Sequence, residues 1–348
     1  IGWDPSAEYV GATVIDPTPG LYQTPVSTLD FASLYPSIMR GWNLCYTTLD
    51  LHVQQNIHKG VTTLDDYSRI PIGDKYWYFI KKEKKMGVLP SILEQVLSKR
   101  QMVKRQMAKE KDPFTKSLLS ARQLAHKISA NSVYGFTGTH PDRGMMSCVP
   151  IAAAVTSIGR QMIERTKRCI EEEFGYDVIY GDTDSVMINL GDQSMEECFR
   201  VSEIMAKRAT ELFPDEVLLE FEKVYKPYLL LKKKNYVGMK FEDSPHAKPK
   251  MDAKGIDIVR RDKINIVRST MQGMLDCVMK HNDLDAAYEV LSRTMTKFIR
   301  NEISIEDVLM SKSLRANYTN KLQPHLTVVN KMKARKAFDV PRVGARVP

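Results

Sequence analysis

Tyr180-Gly181-Asp182-Thr183-Asp184-Ser185 sets two carboxylates one residue apart between the apolar runs Val178-Ile179-Tyr180 and Val186-Met187-Ile188. A half-buried strand fills such a place with uncharged residues. Glycine followed by Asp-Thr-Asp predicts the tip of a β-hairpin instead. Side chains at i and i+2 of an extended chain leave the same side, which would let both aspartates converge on one cation. Asp-rich turns also serve simply to satisfy local backbone donors. A third aspartate in an equally unusual place, Asp30, favours the cation.

Asp30-Phe31-Ala32-Ser33-Leu34-Tyr35-Pro36-Ser37 follows the apolar-leaning run Pro25-Val26-Ser27-Thr28-Leu29. A carboxylate at a strand end, then small residues, then a helix start brings backbone N–H groups beside an acid. That arrangement suits a cation bridged to phosphate oxygens. A plain N-cap by Asp30 or Ser33 is the other use of the same residues.

Two helices are predicted next, from Pro90 to about Lys111 and from about Thr115 to Tyr134. Asp112-Pro113 breaks the first and Gly135 is a natural stop for the second. So short a link implies an antiparallel helical hairpin. At 100° per residue Gln123, Lys127, Asn131 and Tyr134 share a narrow arc of the second helix. Leu118, Ala121, Leu124, Ala125 and Ile128 cover the neighbouring arc, the expected core face. On the first helix Arg100 and Lys104 fall inside the stripe of Leu93, Val96, Leu97 and Met107. Cations in an apolar stripe must snorkel or meet an anion. Facing Lys127, they would repel unless a strongly anionic group such as a triphosphate lay between them.

Lys232-Lys233-Lys234-Asn235-Tyr236-Val237-Gly238 follows Tyr228-Leu229-Leu230-Leu231. It reads either as a charged, protected edge strand or as a cationic strand along a nucleic-acid backbone, with Tyr236 adding apolar contact. Lys254-Gly255 and Arg260-Arg261 would extend that track. Further helices are expected near 150–175, 195–212, 262–281 and 284–300. Ser304-Ile305-Glu306-Asp307 has capping-box spacing for a short one.

Composition narrows the class. At 348 residues, with 43% apolar and 27% charged residues, the chain is long enough for two or three sub-domains with real cores. No apolar run approaches the roughly 20 residues that span a bilayer, and Ile1-Gly2-Trp3-Asp4-Pro5 is not a signal-peptide start. The chain does not begin with Met and reads as a segment of something longer. Its five cysteines are scattered and form no CxxC pair. They fit a reducing intracellular compartment and argue against zinc, so a bound metal would use oxygen ligands. The net charge of +9 is clustered, which favours a polyanionic partner.

DFASLYPSI at 30–38, KISANSVYG at 127–135, YGDTDS at 180–185 and KKKNYVG at 232–238 resemble, in this order, the successive motifs of family B DNA polymerases. LPSILEQVLSKRQMVK at 89–104 is similar to the family's first fingers helix. LDFASLYPSIM, NLCYTTL and LEFEKVYKPYLL resemble its delta-type and large-DNA-virus members. The resemblance runs from about residue 10 to the end. It implies an α+β right-hand architecture: an antiparallel-sheet palm at 1–84 and 137–245, helical-hairpin fingers at 85–136, and an incomplete helical thumb at 246–348. No sequence for the family's proofreading exonuclease precedes it.

The resemblance also implies roles. Asp30 and Asp184 would hold two Mg²⁺ ions, with the Phe31 carbonyl assisting and Asp182 in support. Two ions roughly 3.5–4 Å apart stabilise the attacking and leaving oxygens, and Mg²⁺ suits oxygen ligands with few protein carboxylates. The backbone of Ser33 and Leu34, with Arg100, Lys104 and Lys127, would hold the dNTP triphosphate. Asn131 would add a polar contact, and Tyr35 would stack under the sugar and exclude a 2′-hydroxyl. Lys233, Lys234, Tyr236 and Lys254 would grip primer–template DNA, with Tyr134 near the templating pair and Glu222 near the metals. Asn235 departs from the basic residue many members carry there, and His140 to Cys148 departs from the pattern expected after NSVYG. The implied setting is the nucleus or a viral replication compartment, away from membranes, with a processivity factor bound elsewhere. A two-metal nuclease shares the carboxylates but has no use for Arg100, Lys104 and Lys127 on a helical hairpin. A catalytically inactive scaffold would not need Asp30, Asp184 and Lys127.

Overall fold

The computed structural model describes residues 10–73, 75–139, 144–320 and 322–348. The departure at residues 140–143 thus lies outside the described residues. The elements, in chain order, begin with β1 (Val14–Ile15), β2 (Gly20–Tyr22), β3 (Val26–Phe31), α1 (Leu34–Gly41), β4 (Leu49–Asp50), α2 (Val53–His58), β5 (Tyr67–Ile72) and β6 (Lys75–Ile80). Then come α3 (Val88–Lys109), α4 (Pro113–Thr137), α5 (Val149–Phe174), β7 (Asp177–Asp182), β8 (Ser185–Asn189), α6 (Met195–Thr210), β9 (Leu219–Lys232), β10 (Asn235–Phe241) and β11 (Lys250–Lys254). The rest is α7 (Asn265–His281), α8 (Leu284–Ile299), α9 (Ile305–Val308), β12 (Lys312–Ser313), α10 (Pro324–Ala334) and β13 (Arg346–Val347). The expected mixture of helix and antiparallel sheet is present. Among the described residues no helix is long and apolar enough to cross a membrane.

Two compact units divide the chain. Among the described residues, the first holds those within 10–18, 24–224 and 242–245; the second holds those within 19–23, 225–241 and 246–348. In the first, β1, β7, β8 and β3 lie side by side, all antiparallel, and β9 begins with Leu219–Val224. The alternation of the strands puts Leu29, Phe31, Val186 and Ile188 into one core with Ile151, Val155 and Ile158 of α5. Ten consecutive residues of α5, Pro150 to Gly159, are buried, so this helix is enclosed rather than amphipathic there. A second, three-stranded sheet, β4-β6-β5, was not foreseen from the sequence.

The α3–α4 hairpin matches expectation in kind and link. Asp112 caps α4 through Oδ2, which accepts the Thr115 N–H at 2.8 Å, and Pro113 occupies the first turn. Gly135 does not stop α4; the helix continues to Thr137. The expected core face of α4 is wrong. Leu118, Leu124 and Ile128 are 62%, 48% and 59% exposed. The packed side instead runs through Leu119, Gln123, His126, Ala130, Val133 and Thr137. Gln123 is tolerated there because the Arg100 Nε–H reaches its Oε1 at 3.5 Å.

In the second unit β2 pairs with the later part of β9, and β10 pairs with β11, all antiparallel. Val237 and Met239 pack on Leu275 and Met279 of α7. Ser304 opens α9 by accepting the Glu306 N–H at 3.2 Å. A smaller cluster joins Leu314, Val329 and Val347 around α10 and β13.

Candidate active site

β7 and β8 form the hairpin expected of the opening motif, closed by Thr183-Asp184 with Asp182 opposite Ser185. The chain is not extended through it. Thr183 has φ 64°, and the Asp184 N–H donates to the Asp182 carbonyl at 2.7 Å. This sharp turn separates the two aspartates that an extended chain would align. Asp184 lines a cleft in the first unit and Asp182 does not. Asp182 Oδ1 instead accepts the Thr183 hydroxyl at 3.2 Å. Gly181 is required by close packing: a Cβ there would lie 2.8 Å from Ile15 Cδ1 and 3.1 Å from the Ser185 carbonyl oxygen.

β3 lies beside β8 with Asp30 opposite Ser185, and the Phe31 N–H donates to the Asp184 carbonyl at 2.8 Å. Register therefore sets Asp30 next to the turn that carries Asp184. After Phe31 the backbone turns sharply into α1 through Ser33, at φ 53° and ψ 54°. Neither Asp30 nor Ser33 caps α1 through a side chain, so the helix's first amides keep no intrahelical partner beside the carboxylates.

The cleft has a volume of about 390 Å³. It brings together Asp30, Phe31, Ser33, Leu34, Tyr35 and Asp184 with Arg100, Lys127, Asn131 and Tyr134 of the hairpin, and adds Thr183, which sequence reasoning missed. Arg100 donates from Nη1 to Ser33 Oγ at 3.0 Å. The Tyr35 and Tyr134 rings meet with centroids 4.2 Å apart, tilted by 37°. Lys104 is not brought in. The packed side of α3 steps from Arg100 to Val103, which leaves Lys104 exposed about 100° further round.

Two carboxylates this close are costly to ionise. Burial, then Asp184, then Glu222 push the Asp30 carboxyl up to about 7, against the pull of Lys223 and Lys127. The Asp184 carboxyl is raised too, chiefly by burial, with Asp182 and Glu222 adding and its own backbone hydrogen bond and Lys127 opposing. Lys223 is the other residue missed from sequence. It is 8% exposed and pairs with Glu222 at 3.2 Å. A charged pair beginning an otherwise apolar strand segment, Lys223-Val224-Tyr225, was the available signal. Among the described residues no three His, Cys, Asp or Glu converge on a metal position. Two repelling carboxylates beside an open, cationic cleft instead fit a hard divalent cation that completes its shell with water or phosphate oxygens.

The remaining predicted residues lie in the second unit. Lys233-Lys234 is not a strand but the turn joining β9 and β10, with Lys234 at φ 59°. All three lysines are exposed. Tyr236 is only 8% exposed, its ring packed near Tyr228 and Tyr225 at 5.5 and 6.3 Å. The apolar face expected to meet DNA is thus used inside the unit. Lys254, opposite Tyr236 in the β10–β11 register, lies 3.4 Å from Asp252. Asn235 Oδ1 is buried without a hydrogen-bond partner among the described residues.

Residues 4–348 match the family model described as DNA polymerase family B. The chain is 42% identical over 349 residues to a DNA polymerase delta catalytic subunit of Candida albicans, covering 98% of this chain and 33% of that protein. Similar proteins of the same description occur in Drosophila melanogaster, 42% identical over 357 residues, and Schizosaccharomyces pombe, 41% over 356 residues. Each alignment covers 98% of this chain and 32% and 31% of those relatives, so the chain spans about a third of their length. With the whole described fold inside the match, the chain belongs to DNA polymerase family B.

Proposed function

We propose that this chain carries the catalytic centre of a DNA-directed DNA polymerase that extends a primer 3′ end with deoxynucleotides. One observation supports this most: Asp30, Asp184, Tyr35, Arg100, Lys127 and Asn131, from three distant stretches, line one cleft. Carboxylates at one wall and fixed cations at the other match a nucleoside triphosphate whose charge is neutralised from both sides. In the reaction the primer 3′ oxygen bonds to the α-phosphorus, the bond to the bridging oxygen breaks, and pyrophosphate leaves while the hydroxyl proton is lost.

In this proposal Asp30 and Asp184, with the Phe31 carbonyl, hold two Mg²⁺ ions. When bound, these supply Lewis-acid stabilisation of the attacking and leaving oxygens. Arg100, Lys127 and the backbone at the start of α1 bind the phosphates, and Asn131 adds a polar contact. Tyr35, braced by Tyr134, sits where a sugar would stack and a 2′-hydroxyl would clash. Lys104 lies outside the cleft as described; movement of the α3–α4 hairpin would have to deliver it. Lys233, Lys234 and Lys254 hold duplex phosphates. The right-hand division into palm, fingers and partial thumb, a nuclear or viral replication setting and a separate processivity partner belong to the same proposal.

Primer extension by the full-length parent protein, with Mg²⁺ and with EDTA, is the test. Asp184→Asn should lower extension by on the order of a thousandfold, the scale for removing one preorganised electrostatic group. Unchanged extension in the variant or in EDTA would overturn the metal assignment. Retained duplex binding without any extension by the wild type would favour an inactive scaffold.

A further inference from the structure

Val237 and Met239 turn one side of β10 toward α7, so Tyr236 and Gly238 lie on the other side of the strand. There Tyr236 meets Tyr225 and Tyr228, two fully buried rings stacked on each other with centroids 5.1 Å apart. Tyr225 does not end in this cluster. Its Oη donates to Asp252 Oδ2 on β11 at 2.7 Å. To reach that carboxylate from β9 the ring passes over β10 at Gly238, the residue opposite Asp252 in the β10–β11 register. A Cβ on Gly238 would lie 2.4 Å from the Tyr225 Cδ1 and 2.9 Å from its Cγ. The glycine that ends Lys232-Lys233-Lys234-Asn235-Tyr236-Val237-Gly238 is therefore the gap through which a phenol from β9 crosses to β11.

Asp252 carries the connection one step further. Its Oδ1 lies 3.4 Å from Nζ of Lys254, two residues along β11 and on the same side of the strand. The Asp252 side chain is 15% exposed and that of Lys254 is 55% exposed, so the ammonium meets solvent while the carboxylate beneath it is shielded. Burial, then the hydrogen bond to Asp252, hold the Tyr225 phenol far above its ordinary range, which makes it a permanent donor. A donor locked in a packed core fixes the orientation of the carboxylate that accepts from it. An exposed ion pair contributes little by itself. What this one gains from Tyr225 is direction: the flexible lysine stem is tied to an anion that cannot turn away.

We propose that Tyr225 is a positioning residue for duplex binding: acting through Asp252, it holds the Lys254 ammonium where a phosphate of the duplex meets it, and Gly238 is the passage that permits this. The proposal rests on the assignment of Lys254 to duplex phosphates made above. Fixing the ammonium before the duplex arrives lowers the side-chain ordering that binding would otherwise require.

Duplex DNA binding by the full-length parent protein, read by fluorescence anisotropy over a range of salt concentrations, tests it through a double-mutant cycle. Tyr225→Phe keeps the ring over Gly238 and removes only the hydroxyl; it should weaken binding by at least about threefold, within the worth of one hydrogen bond. Lys254→Ala should weaken binding further and lower the slope of log K against log salt by about 0.9. Once Lys254 is alanine, adding Tyr225→Phe should change nothing more. A hydroxyl that merely stabilises the sheet would lower affinity by the same factor with and without Lys254, and that result overturns the proposal. Wild-type binding by Tyr225→Phe overturns it too. If Lys254→Ala alone leaves affinity and slope unchanged, Lys254 does not touch the duplex and both the contact and its positioning fall, an outcome distinct from the equal-factor result, in which the contact stands. Urea unfolding checks that Tyr225→Phe is folded at the assay temperature. Should it not be, Asp252→Asn takes its place in the cycle, and its effect must likewise differ with and without Lys254. Primer extension is not read, so a catalytically inactive protein leaves the test standing.

Discussion

Asp30→Asn should stabilise the metal-free protein above neutral pH while having little effect in acid. The Asp30 carboxyl is raised from its ordinary 3.8 to about 7 by burial, Asp184 and Glu222. Between those two values the folded chain holds a proton that the unfolded chain has released. Stability must then fall as pH rises, because the folded state binds more protons. The contribution is fully present below pH 3.8 and fully lost above about pH 7. At 1.36 kcal/mol per pH unit the interval corresponds to roughly 4 kcal/mol. The carboxyl faces an open cleft, and solvent screening reduces this to on the order of 2 kcal/mol. Asparagine keeps the shape, removes the ionisation and relieves Asp184 of one neighbour.

Urea unfolding of wild type and Asp30→Asn in EDTA, from about pH 5 to about pH 8, reads the difference directly. The variant's advantage should grow across this range by roughly 1 kcal/mol, the share of the ~2 kcal/mol that lies between pH 5 and about 7, and level off above neutrality. Adding Mg²⁺ at pH 8 should stabilise the wild type and not the variant, since a ligand stabilises only the state that binds it. A difference that does not change with pH, or one that shrinks as pH rises, would refute the claim that Asp30 is a carboxylate held against its own ionisation.

Tyr35→Ala should relax discrimination against ribonucleotides by at least about tenfold in primer extension, the equivalent of one 1.4 kcal/mol contact; unaltered sugar selectivity removes Tyr35 as the gate. Lys234→Ala should weaken duplex binding equally at all sequences and lower the salt slope by about 0.9, whereas a loss confined to one sequence would indicate base contact. Gly255→Ala should destabilise the second unit by more than about 2 kcal/mol in a thermal or urea melt, because Gly255 has φ 69° and a Cβ would sit 2.0 Å from the Lys234 carbonyl oxygen. A near-neutral Gly255→Ala would mean that the turn carrying Lys234 is free to move.

Much of the cleft was legible because its residues break local rules in ways one chain can reveal. Asp30 interrupts an apolar strand, and Asp182-Thr183-Asp184 replaces the neutral residues that burial demands. Arg100 was visible as a cation in an apolar stripe, and it does lie on the packed side of α3, bonded to Ser33. Lys104 was misjudged by a single helical step. Periodicity cannot choose between i+3 and i+4 when either continues the stripe, and Val103 takes the place.

The misreading of α4 has a deeper cause. Hydrophobicity ranks Leu118, Leu124 and Ile128 above Gln123 and His126, so the apolar arc looked like the core. That inference assumes a helix packs to hide its greasiest face. Here the same helix must also present Lys127, Asn131 and Tyr134 to the cleft, which fixes its rotation about its own axis. With that rotation set, Leu119, Gln123 and Ala130 lie on the packed side, and the apolar arc is turned outward. Gln123 is affordable inside because Arg100 supplies its partner. Lys223 was hidden for the converse reason. Its burial beside Asp30 is set by which strand β9 joins, and pairing between strands nearly 200 residues apart leaves no mark in either segment alone. Local chemistry thus announced most of the residues that line the cleft. The rotation of α4 and the neighbour of β3 are decided by tertiary packing, and they determined which other residues share the site.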